Sequence, residues 1–137
     1  MEKTLQSIGL NSNNSVVIGS GILGALGIRK SNDIDLVVTQ EKYDLLKKSG
    51  NFEVKEKRGK EILAKDLYEV MTGWDVLDKN YKFEDFLNES TIINGARYMS
   101  LDLLYRVKKS WLDDADVRPK DISDVKLIEE YLSKHKT

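Results

Sequence analysis

The chain has 137 residues, 33% of them charged and 40% apolar, and a formal net charge of −1, which is the make-up of one globular domain and not of a disordered segment. Charge this balanced provides no global basic field for nucleic acid, and the lack of cysteine excludes disulfides, thiolate metal sites and cysteine nucleophiles. The only histidine, His135, lies near the C-terminal end, which argues against a Ser-His-Asp triad or a multi-histidine metal centre; a bound metal then needs carboxylate ligands, and that chemistry suits Mg²⁺ or Mn²⁺.

In chain order, residues 4–9 read as a short helix or a lead-in, and Asn11-Ser-Asn-Asn14 as a polar turn. The continuous apolar run Val16 to Ile18 predicts a strand buried on both faces. It ends at Gly19-Ser20, and only Gly21 to Leu26 is left for a helix before Gly27 and the polar loop Arg29-Lys-Ser-Asn32. Asp33 to Val38 alternates as a second strand, with Asp33 and Asp35 on one face and Ile34 and Leu36 on the other. Thr39 caps a helix over 40–49, striped by Tyr43, Leu45 and Leu46 and ended by Gly50. Residues 52–57 alternate, turn at Arg58-Gly59-Lys60 and return through Ile62-Leu-Ala64. After Lys65-Asp66, a strand over 67–72 carries Glu69 as its polar outlier, and Gly73-Trp74 closes it.

Residues 82–89 have helical spacing at Phe83, Phe86 and Leu87. Asn94-Gly95 marks the tip of a hairpin over 91–99. Ser100 caps a helix over 101–111, and Pro119 opens the first turn of a last helix reaching about 133. These elements predict an α/β (α+β) fold, a mixed twisted sheet with helices mainly on one face. It forms one domain over 1–137, with a core at 15–99 and a helical part at 100–137. No signal or transit pattern opens the chain and no stretch is long and apolar enough to span a bilayer, so a cytoplasmic location without a membrane partner is expected.

Two chemistries compete for residues 16–38. Gly19-Ser-Gly21-Ile-Leu-Gly24 is a literal GxGxxG after a strand, the dinucleotide fingerprint. A Rossmann unit, however, needs a full-length helix and then its acid about 20 residues on, and this helix is too short. The second chemistry is metal-dependent phosphoryl transfer. Asp33 and Asp35 project to one side of a strand, and unpaired carboxylates that close repel each other. Two divalent ions remove the penalty and activate an attacking oxygen while stabilising a leaving group. Gly19-Ser20, before a helix start, has backbone N–H groups and a hydroxyl for a phosphate chain, with little bulk in the way.

Gly19-Ser20, a short helix and then Asp33-Ile34-Asp35 resemble, in type, spacing and order, the nucleotidyltransferases of the DNA-polymerase-β type. Leu103-Leu-Tyr-Arg-Val-Lys108 with Arg118-Pro-Lys-Asp121-Ile-Ser-Asp124 is similar to a segment of the small stand-alone members, the antibiotic-modifying and abortive-infection toxin nucleotidyltransferases. The resemblance implies a third carboxylate from a later strand, matched here to Glu69, with Asp66 and Asp75 as rivals near the ends of that strand. It implies Mg²⁺ or Mn²⁺, two ions held by Asp33, Asp35 and Glu69, and an NTP over Gly19 and Ser20. A nucleoside monophosphate would pass to an acceptor hydroxyl on a small molecule, a protein or an RNA, with release of pyrophosphate. One carboxylate, Glu69 for example, would take the acceptor's proton.

Lys108 is the match for a lysine that neutralises triphosphate charge, with Lys109 as the adjacent register and Asp121 as a residue to orient it. Arg118 and Asp121 read equally as a local ion pair. Arg29 and Lys30 read either as phosphate contacts or as solvated turn residues, and Trp74 and Tyr68 as base-stacking or core aromatics. The basic turn Lys55, Lys57, Arg58 and Lys60 reads either as a contact for an acidic or nucleic-acid acceptor or, diluted by Glu53, Glu56 and Glu61, as a solvated hairpin, and the second reading is favoured. A chain this short leaves little room for an acceptor domain, so a homodimer or a partner protein is expected to complete that site. The alternatives carried are an inactive nucleotidyltransferase-like binding or antitoxin subunit, and a Rossmann-type dinucleotide-binding protein.

Overall fold

The computed structural model describes residues 1–135. A seven-stranded mixed sheet is its frame. The chain enters through the short helix α1 (Glu2–Gln6) and then forms β1 (Ser15–Ile18), the five-residue helix α2 (Gly21–Ala25) and β2 (Ile34–Val38). Helix α3 (Gln40–Lys48) leads to β3 (Glu53–Lys57), β4 (Lys60–Lys65) and β5 (Tyr68–Met71). A separate two-stranded hairpin, β6 (Gly73–Val76) and β7 (Lys79–Lys82), precedes the single turn α4 (Phe83–Phe86). Strands β8 (Ser90–Ile93) and β9 (Ala96–Met99), then helices α5 (Leu101–Ser110) and α6 (Pro119–Lys134), complete the fold.

The sheet order is β3-β4-β5-β2-β1-β9-β8. Strands β1 and β2 run antiparallel, whereas β2–β5 and β1–β9 are parallel. This order puts the two strands richest in apolar residues at the centre. All four residues of β1 are buried, so both faces of that strand are covered, as its unbroken apolar run requires. One core joins Val16, Ile18, Leu36 and Val38 of the central strands to Ile22 and Leu23 of α2, Tyr43 of α3, Phe86 of α4 and Leu103, Leu104 and Val107 of α5.

Local chemistry explains most boundaries. Thr39 Oγ1 accepts from the Lys42 N–H at 3.4 Å and Ser100 Oγ from the Leu103 N–H at 3.1 Å, closing the starts of α3 and α5. Pro119 sits in the first turn of α6. Asn94-Gly95 and Arg58-Gly59 turn with positive φ at both residues (49°, 83° and 53°, 78°), as a tight hairpin demands. Gly21 lies against β1, where a Cβ would collide with Val17, so α2 packs on the strand only as glycine allows.

Two expected elements are corrected. Gly73-Trp74 does not close a strand but opens β6. The helix expected over 82–89 is confined to Phe83–Phe86, because Lys82 belongs to β7. The hairpin has no glycine at its turn; Leu77 and Asp78 take φ of 54° and 59° instead. The dinucleotide alternative also falls. Its βαβ unit needs a parallel pair, and β1 and β2 are antiparallel. No helix of the described residues is long and apolar enough to cross a membrane.

Candidate active site

The site forms where β1 stops. In the antiparallel register Asp35 of β2 stands opposite Ile18, and in the parallel register on its other side it stands opposite Glu69 of β5. Two carboxylates from strands 34 residues apart in sequence thus become neighbours in mid-sheet. Gly19 follows Ile18 with φ of 67°, and a Cβ there would stand 3.5 Å from Asp35 Oδ2. Glycine therefore satisfies the left-handed backbone and leaves open space beside the carboxylate. Asp33 lies just before β2 and is exposed. Gly19, Ser20, Asp33, Asp35, Glu69 and Lys108 all line one cavity of about 620 Å³.

Electrostatics distinguish this corner. Burial pushes the Asp35 carboxyl up to about 6, with the charges of Glu69 and Asp33 adding to the effect and those of Lys57 and Lys120 opposing it. Among the described residues one cation touches the pair: Lys57 Nζ lies 2.8 Å from Glu69 Oε1. Among the described residues no three acidic or histidine side chains are gathered as a ready metal-ligand cluster. The donor chemistry nevertheless fits a hard divalent cation, since three carboxylates face one cavity and the half-buried Asp35 is short of positive charge. Of the rivals for the third acid, Asp66 sits in a turn with φ of 52°. Asp75 lines the cavity but is held by Lys60 at 2.5 Å and Asn80 at 2.7 Å.

The expected phosphate contacts divide. Ser20 lines the cavity, its hydroxyl 2.9 Å from that of Ser31, and the Gly19 N–H points at Met99 Sδ at 3.2 Å. Arg29 is turned elsewhere: Nε and Nη2 donate to the two oxygens of Asp124 at 2.6 and 2.8 Å, and the residue does not line the cavity. Lys108 reaches the cavity wall, but its ammonium is buried between Asp121 (2.8 Å) and Asp124 (3.0 Å). Lys109 instead meets the Tyr105 hydroxyl on the exposed side of α5. Arg118 completes the network on Asp121 at 3.1 and 3.2 Å. Burial alone would push Asp121 and Asp124 up. The bonds from Arg118, Arg29 and Lys108 outweigh it and hold both carboxyls below their ordinary range.

Several lining residues escape a reading of the sequence. Lys57, Arg58 and Lys60, expected to be a solvated turn, lean over the cavity from the β3–β4 tip. Trp74 meets Trp111 edge to face, with ring centroids 6.2 Å apart, and both line the wall; Tyr68 instead packs against the core. Arg118 and Lys120, at the start of α6, add positive charge. Trp74, an aromatic close in sequence to Glu69, the basic turn and the segment from Arg118 were legible signals. Their meeting at one cavity depends on which loops the sheet brings together.

No family model matches the chain, and no curated protein matches it. Solved structures do. The solution structure of the antibiotic-resistance factor ANT(2'')-Ia superposes with a TM-score of 0.58 at 17% identity, over 96% of this chain and 86% of that one. The fold is nucleotidyltransferase-like. The crystal structure of ANT(2'')-Ia in complex with adenylyl-2''-tobramycin agrees, with a TM-score of 0.58, 16% identity and coverage of 90% and 82%. JHP933 from Helicobacter pylori matches with a TM-score of 0.57 and 14% identity, over 98% of this chain and 66% of that one. The likeness is one of fold, at identities where side-chain roles have to be argued from this chain's own residues.

Proposed function

We propose that this protein transfers a nucleoside monophosphate from an NTP to an acceptor hydroxyl and releases pyrophosphate. The observation that carries the reading is the pairing of Asp35 with Glu69 across β2 and β5, beside Gly19 and in the cavity that Asp33 also faces. Asp33, Asp35 and Glu69 would hold two Mg²⁺ or Mn²⁺ ions. Bound there, the ions would neutralise the triphosphate and lower the pKa of the acceptor hydroxyl. Gly19 and Ser20 bind the phosphate chain at the start of α2. The acceptor oxygen bonds to the α-phosphorus, the bond to the bridging oxygen breaks, and pyrophosphate leaves with that electron pair. The hydroxyl proton passes to a carboxylate of the same corner.

Lys108 contributes charge at the cavity wall without being free to move, because two acids fix it. Trp74 and Trp111 form an apolar wall for a base or an acceptor ring. The adenylylated aminoglycoside in one structural neighbour favours ATP as donor and a small hydroxylated acceptor. Incubation with each α-labelled NTP and Mg²⁺, followed by mass spectrometry of protein, RNA and small molecules, tests this. Wild type is expected to release pyrophosphate and Asp33→Asn and Asp35→Asn to lose that release; equal release from all three sinks the mechanism. A second reading, a nucleotide-binding or antitoxin subunit without turnover, draws on Glu69 being engaged by Lys57. It predicts Mg²⁺-dependent NTP binding with no pyrophosphate.

A further inference from the structure

The chemistry above leaves Lys57 without a task. It ends β3, one residue before the Arg58-Gly59 turn, and stands directly opposite Lys60 in the β3–β4 register. Like charges facing each other across a hairpin are unfavourable. Here each lysine is met by an acid from across the cavity, Lys57 by Glu69 at 2.8 Å and Lys60 by Asp75 at 2.5 Å. The tip is thereby laid over the site. The cations around α6 are differently disposed: Arg29, Lys108 and Arg118 are each committed to Asp121 or Asp124.

We propose that Lys57 is a resident counter-cation of the Asp35–Glu69 corner, which competes with a divalent cation for Glu69 and, once displaced, turns to the polyphosphate of the nucleotide. The proposal rests on the nucleotidyl-transfer reading. Three observations support it. Lys57 occupies Glu69 Oε1, an oxygen that a divalent cation held by this corner would take, with Asp35 next to Glu69 in the register. Its side chain is 56% exposed, and exposed ion pairs are weak, about 0–1 kcal/mol, so a divalent ion can displace it. Lys108, with a side chain 4% exposed between two acids, has no such freedom. Finally, β3 is an edge strand exposed along its whole length, and Lys60 anchors the tip separately, so Lys57 can swing without disturbing the sheet.

Titration with Mn²⁺ alone, followed by electron paramagnetic resonance, reads the competition without turnover. Lys57→Gln is expected to bind Mn²⁺ about two- to fivefold more tightly than wild type, the factor that a lost competitor of 0.5–1 kcal/mol implies. Lys57→Arg, which keeps the charge, is expected to stay near wild type, and Lys60→Gln, whose partner is Asp75, to leave the affinity unchanged. With α,β-methylene ATP added, Lys57→Gln is expected to bind the nucleotide more weakly than wild type. Unchanged or weaker Mn²⁺ binding by Lys57→Gln overturns the role of Lys57 and leaves the nucleotidyl-transfer reading standing. A wild type that binds neither Mn²⁺ nor the nucleotide overturns both.

Discussion

Asp35 with Glu69, and Asp121 with Asp124, are both pairs of acids that regular structure forces together, and the protein treats them in opposite ways. The helical pair lies one turn apart on α6 and is met by three cations, Arg29, Lys108 and Arg118. Its carboxyls are held low. The strand pair has Asp33 as a third acid nearby and one exposed lysine in contact, and burial raises Asp35 to about 6. The first arrangement ties α2's loop, α5 and α6 together. The second keeps a single exposed countercharge at the edge of a cavity.

That contrast can be broken experimentally. Lys108→Met should cost about 3–5 kcal/mol in denaturant unfolding, because it leaves buried acids short of a partner. A loss below 1 kcal/mol would mean the network is not structural. Asp35→Asn should lower pyrophosphate release by about 10²–10³-fold, about 2.7–4 kcal/mol in the barrier. The same substitution should stabilise the fold at pH 8 by about 3 kcal/mol in the absence of metal. The sign follows from the raised pKa: the folded state holds a proton that the unfolded chain has released, so wild type loses stability as pH rises from about 4 to 6. The gain should therefore be small at pH 4. Asp121 and Asp124 work the other way, because their lowered pKa gives stability above the ordinary carboxylate range that is lost as pH falls through the depressed values. Urea unfolding of wild type below pH 4 should show that loss, and Asp124→Asn should flatten it. Smallest of all, Lys57→Gln should change stability by less than about 1 kcal/mol, since its pair is exposed. A larger loss would place Lys57 with the structural cations.

Much of this was legible from the chain. The strand expected over 16–18, the short α2, the caps at Thr39 and Ser100 and the Asn94-Gly95 hairpin depend on local patterns, and they formed there, the strand starting one residue earlier at Ser15. Gly19, Ser20, Asp33 and Asp35 were singled out because their types and spacing fall within one supersecondary unit. The β6–β7 hairpin was not legible, because Leu77-Asp78 adopts a glycine-favouring turn without glycine.

The sequence by itself determined which residues could supply the chemistry, since alternation, turn residues and caps act over a few positions. Only the tertiary structure decided their partners. Sheet register, not proximity along the chain, set Glu69 beside Asp35. Arg29 turned away from the cavity to an acid 95 residues away, and Lys108 was captured by two acids of α6, because packing brought α6 to α5 and to the loop after α2. Lys57, a surface lysine by every local criterion, became part of the site because an edge hairpin folds over the cavity. Burial and charge pairing are sums over neighbours from distant segments, and no window of sequence contains those neighbours.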